Sequence, residues 1–84
     1  MSTQTWSFLR LRVTAEADPG ALARILNHFQ NLNILPRKVV AEIATTGIFH
    51  VEVDVTGLSE DTVSLIAAKI GEVPCILSAR WHRA

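Results

Sequence analysis

The sequence has one cysteine, no surplus charge of either sign and no long apolar run, and each shortage excludes something. A single thiol, Cys75, rules out an internal disulfide and a multi-cysteine metal site. Eight Lys+Arg are balanced by eight Asp+Glu, so the basic footprint that phosphate contacts require is missing and no nucleic-acid partner is expected. The locally basic stretch Arg80-Trp81-His82-Arg83 is too short to supply it. No apolar stretch approaches the roughly 18 residues of a membrane span, and Met1-Ser2-Thr3-Gln4 is not a secretory leader. No membrane partner is expected, and the cytoplasm is the expected location.

What remains is a chain of 84 residues, enough for one domain (1–84, core about 6–82). A domain of this size buries only about 60–65% of the surface its unfolded chain exposes, so its stability is modest unless it pairs with something. Hydrophobic residues make up 49% of it. That surplus fills either a core alone or a core plus an association surface. The second reading is favoured, because excess apolar area tends to mark association.

Alternation sets the first strand at about Trp6 to Ala15: Leu9, Leu11, Val13 and Ala15 point one way, and Arg10, Arg12 and Thr14 the other, with Trp6 and Phe8 on the arginines' side. Asp18-Pro19-Gly20 then breaks the strand, with Asp18 as helix cap and Pro19 at the first helical position. Leu22, Ile25, Leu26 and Phe29 give a helical stripe over about Pro19 to Asn31, which Asn31-Leu32-Asn33 ends. A second strand is expected over Ile34 to Ala44, at a sheet edge because Pro36 cannot donate to a ladder. Thr45-Thr46-Gly47 is a hairpin turn. Phe49, Val51, Val53 and Val55 alternate with Ile48, His50, Glu52 and Asp54 in a third strand. Ser59 caps a second helix with Val63, Ile66, Ala67 and Ile70 on its buried stripe, ended by Gly71. A last strand runs from Val73 to Trp81, with Val73, Cys75, Leu77 and Ala79 on one face and Ile76, Ser78 and Arg80 on the other.

The order predicts an α+β, ferredoxin-like βαββαβ sandwich: a four-stranded antiparallel sheet, order 4-1-3-2, with two helices on one face. Arg10 and Arg12 then meet Glu52 and Asp54 on the open face as cross-strand pairs. This fold hosts many activities, so function must come from sites. The first loop lacks the paired cysteines of metal carriers and the phosphate cradle of acylphosphatases. The central strands lack the open-face aromatics of RNA binders. His28, His50 and His82 are scattered, and Glu52 and Asp54 are answered by arginines rather than poised as an acid–base pair. Cys75 faces the core. No catalytic residue, metal site or cofactor emerges.

The sharp feature is Asp18-Pro19-Gly20-Ala21-Leu22. It is either a helix start with no ligand, or a helix N-terminus whose free N–H groups receive a small anion such as a carboxylate. Continuing through Ala23-Arg24-Ile25-Leu26, with Phe29 after it and Asn33-Ile34 opening the next strand, it resembles the ACT domain over about residues 8 to 81. It is similar in particular to the small regulatory subunits of acetolactate synthase. The resemblance implies a non-catalytic regulatory domain that pairs with itself through sheet edges. Such a domain binds a small amino-acid effector, or serves a larger catalytic subunit of an acetolactate-synthase-like enzyme. It also implies a site in which Asp18, Pro19, Gly20, Ala21 and Leu22 face Ile34, Leu35 and Pro36. In that site Gly20 and Ala21 offer N–H groups to the effector carboxylate, and Leu22 and Leu35 line its side-chain pocket. Ala17 and Leu35 stand where valine-sensing subunits commonly carry asparagine. The alternative is an interaction and dimerisation module of the same fold that senses nothing.

Overall fold

The odd-numbered residues of the first and third strands form the floor on which everything else is laid. The computed structural model describes residues 8–84, so the placement expected for Trp6 lies outside the described residues. Its elements are β1 (Leu9–Glu16), α1 (Ala21–Asn31), β2 (Lys38–Thr45), β3 (Ile48–Val55), α2 (Glu60–Gly71) and β4 (Ile76–Arg83). They form one four-stranded antiparallel sheet in the order β2-β3-β1-β4, which is the expected order read from the other edge. Leu9, Leu11, Val13 and Ala15 of β1 and Val51, Val53 and Val55 of β3 are buried. They share one core with Ala21, Ile25 and Phe29 of α1 and Val63, Ile66, Ala67 and Ile70 of α2. The fold class stands as expected.

Both helix ends follow from local chemistry. Ser59 caps α2 by accepting the Thr62 N–H at 3.1 Å, with Glu60 and Asp61 in the first turn, where the helix dipole favours anions. At the far end of α1, Asn33 adopts φ 59°; its N–H bonds to Gln30 O and that of Ile34 to Phe29 O. This pair of bonds is a Schellman closure, which needs a residue that tolerates the left-handed region.

Three boundaries differ from expectation. The N-cap of α1 is Gly20, not Asp18, and Pro19 lies before the helix rather than in its first turn. Strand β2 begins at Lys38, because the Asn33 closure and Pro36 hold Ile34 to Arg37 out of the ladder. Strand β4 begins at Ile76 with a bulge: Thr14 is opposite Ser78 and Ala15 opposite Ile76, leaving Leu77 unpaired. One extra residue inverts the parity below it. Ile76 therefore enters the core at 9% exposure while Leu77 stands out at 56%. Cys75 is buried as expected.

Strand β2 is an edge, as Pro36 suggested, and all eight of its residues are exposed. Val39, Ala41 and Ile43 pair with Val53, Val51 and Phe49 and so lie on the helix side of the sheet. None of them joins the core. On the opposite side Arg12 meets Glu52 at 2.9 Å and Arg10 meets Asp54 at 2.8 Å, the expected cross-strand pairs.

The bulge has a direct test. Ile76→Ala lowers stability in urea titrations by about 2–4 kcal/mol through lost burial and a residual cavity. Leu77→Ala shifts it by less than about 0.5 kcal/mol. The reverse ranking would restore the unbulged strand.

Candidate functional site

The first loop is built by Asp18. Its carbonyl accepts the Ala21 N–H at 2.9 Å, closing a turn with Pro19 in the second position, where a fixed φ is an advantage. Its carboxylate accepts the Gly20 N–H at 3.3 Å. Gly20 itself sits at φ −85°, a conformation open to any residue, so the turn does not require glycine. What lies over Gly20 is Arg24. Its guanidinium is 3.7 Å from where a Cβ would stand, and its Nη1 pairs with Asp18 Oδ2 at 3.1 Å. The same nitrogen lies 3.9 Å from the Cys75 sulfur.

The loop is therefore internally satisfied. Gly20 and Ala21 both donate to Asp18, so an effector carboxylate reaches them only by displacing that residue. The N–H groups of Leu22 and Ala23 have no intrahelical acceptor by helix geometry, and no side chain caps them. Ala21 is fully buried and contributes backbone alone, while Leu22 is half-buried at the core margin. Arg24 is the site residue that sequence reading missed. Its return over Gly20 one helical turn away is a tertiary arrangement, although i to i+4 spacing permits it.

Ile34 and Leu35 are at the other end. The eleven residues of α1 put about 16 Å between the two halves of the expected site. Around Ile34 and Leu35 lies an open cavity of about 510 Å³ between α1 and the start of β2. Leu26, Phe29, Pro36 and Val39 complete its apolar wall, and Gln30 and Asn33 supply amides at its margin. Leu35 is 90% exposed there. Within one protomer the structure brings Asp18 to Leu22 together and Ile34 to Pro36 together, and it does not bring the two groups to each other. Among the described residues, no cluster of three His, Cys, Asp or Glu could hold a metal ion, and no helix is long and apolar enough to cross a membrane.

Several solved structures share this architecture. The ACT domain of the GTP pyrophosphokinase of Chlorobium tepidum matches with a TM-score of 0.76 at 17% identity, over 89% of this chain and 96% of that one. The C-terminal domain of the MgtC protein of Mycobacterium tuberculosis matches with a TM-score of 0.75 at 13% identity, over 100% of this chain and 94% of that one. A homoserine dehydrogenase of Thiobacillus denitrificans matches with a TM-score of 0.75 at 20% identity, over 92% of this chain but 17% of the enzyme. At these identities the likeness is one of fold. No curated protein matches the sequence. The sequence profile of the ACT-like domain, however, matches residues 2–84. With the strand order, the two helices and the Asp18–Leu22 loop in place, the chain belongs to the ACT-like domain family.

Proposed function

We propose that the protein is a regulatory, non-catalytic domain that works as a homodimer and binds a small amino acid with an aliphatic side chain between its two copies. The observation that carries this reading is the separation of the two half-sites at opposite ends of α1, beside a sheet edge, β2, that no described residue covers.

The two edges are not alike. Strand β4 is broken by the bulge at Leu77 and carries Arg80, His82 and Arg83, devices that discourage strand pairing. Strand β2 presents Val39, Val40 and Ile43, the last at 67% exposure. Pairing of β2 with its own copy about a two-fold axis is antiparallel, so the Lys38 end of one copy lies beside the Thr45 end of the other. The turn after Thr45 is tied to the first loop by the Ala17 N–H to Gly47 O bond at 3.0 Å. The first loop of one copy thus approaches the Leu35 cavity of its neighbour. Arg24 and the free N–H groups of Leu22 and Ala23 face the carboxylate, Asp18 the ammonium, and the apolar wall of the partner copy the side chain.

An effector then exchanges for the Asp18–Arg24 pair rather than filling an empty cradle. In the finer version, which rests on the resemblance of residues 18–26, the dimer is the small subunit of an acetolactate-synthase-like enzyme and passes effector occupancy to a larger catalytic subunit. The closed Asp18–Arg24 pair also favours a second reading, a dimerisation module that senses nothing.

Titration calorimetry with a panel of amino acids that includes valine, leucine and isoleucine decides between these readings. A saturable signal with an aliphatic member supports sensing, and no signal with any member leaves the module. Gly20→Leu is expected to keep the fold because its φ is ordinary, while a side chain longer than a methyl crowds the Arg24 guanidinium, 3.7 Å from the Cβ position, and weakens the response. Loss of folding would assign Gly20 to structure instead. Ile43→Lys is expected to give a monomer in sedimentation and to lose the response with it; a dimer with intact binding would place the interface elsewhere.

A further inference from the structure

Residues from three segments interlock where the chain enters β2. Asp54 is 2% exposed, yet it is charged and sits on the sheet face away from the helices. Arg10 holds it with two bonds, Nε to Oδ1 at 2.8 Å and Nη2 to Oδ2 at 3.1 Å. The hydrogen bond to Asp54, with added attraction from Asp54 and Glu52 and against partial desolvation, raises the pKa of Arg10. Arg37 completes the group. Its N–H donates to Asp54 O at 2.7 Å, its Nη1 lies 3.9 Å from Asp54 Oδ2, and its guanidinium is 4.7 Å from the centre of the Phe8 ring. The Arg10 guanidinium is 5.4 Å from the same centre. Two like charges thus share one carboxylate and one aromatic ring, both of which attract cations.

This arrangement matters because of what Arg37 follows. Leu35 and Pro36 form a wall of the cavity but have little to hold them: Leu35 is almost fully exposed, and Pro36 has no N–H to give. The segment is fixed at its start by the Ile34 N–H to Phe29 O bond of the helix closure and at its end by Arg37. We propose that Phe8, Arg10 and Asp54 act through Arg37 as a clamp that keeps Ile34 to Pro36 ordered as an effector-facing wall. These are positioning residues, which touch no ligand themselves. The proposal rests on the reading of that wall as part of the effector site.

The test measures native-state amide hydrogen exchange on the unliganded protein and calorimetry with valine, leucine and isoleucine, for wild type, Arg37→Ala and Arg37→Lys. Arg37 is half-exposed, so the alanine variant keeps the fold. The expected result is exchange at positions 34 and 37 about three- to tenfold faster, with β1 and β3 amides unchanged. Affinity for the responding amino acid falls by a similar factor, and the lysine variant recovers part of both, since a cation over Phe8 is retained. Unchanged exchange at position 37 overturns the clamp, and faster exchange with unchanged affinity overturns its positioning role. A wild-type protein that gives no heat with any probe overturns the effector reading, while the exchange data still decide the clamp.

Discussion

The buried stripes of α1 and α2 land on β1, β3 and β4, and β2 receives none. Much else in the molecule follows from that unequal cover. The strand is hydrogen-bonded on one side only, and its helix-side row of Val39, Ala41 and Ile43 is apolar without being buried. In a chain of this size an unburied apolar row on a sheet edge is a surface that the proposed second copy would take from water. The same strand links the two half-sites, since one end follows the Leu35 wall and the other adjoins the first loop.

The first loop is a helix start whose polar groups satisfy one another, and the proposed effector site uses those same groups. Asp18 satisfies the turn through its carbonyl and Gly20 through its carboxylate, and Arg24 folds back to neutralise it. An exposed pair of this kind contributes little to stability, so opening it costs little. A zwitterionic ligand presents the same two charges in the opposite sense. That exchange would let the loop stay ordered with or without an effector.

Much of the fold was legible because strict alternation in β1 and β3, and the helical stripes between them, leave one consistent arrangement. The bulge at Leu77 was not, since one inserted residue reverses parity without any change in composition. The start of β2 was misjudged because Ile34 and Leu35 look like strand residues, while the left-handed turn at Asn33 and the ring of Pro36 delay the ladder. Asp-Pro-Gly suits both a helix cap with proline in the first turn and a turn ahead of the helix, and only the folded backbone, with Ala21 N–H bonded to Asp18 O and Gly20 at the N-cap, shows which one is adopted. The two segments of the proposed site were expected from the sequence. Their separation by the length of α1 appears only once the chain is folded, as does the burial of Asp54 on the open face.

The central claim is that β2 meets its own copy. Cross-linking in a Cys75→Ser background tests it most directly, with Ala41→Cys at the middle of β2 compared with Ser78→Cys on β4. Antiparallel partners near the axis lie about 4.5–5.5 Å apart at Cα, within disulfide reach. The account predicts a covalent dimer on oxidation for position 41 and none for position 78. A bridge at 78 with none at 41 would contradict it.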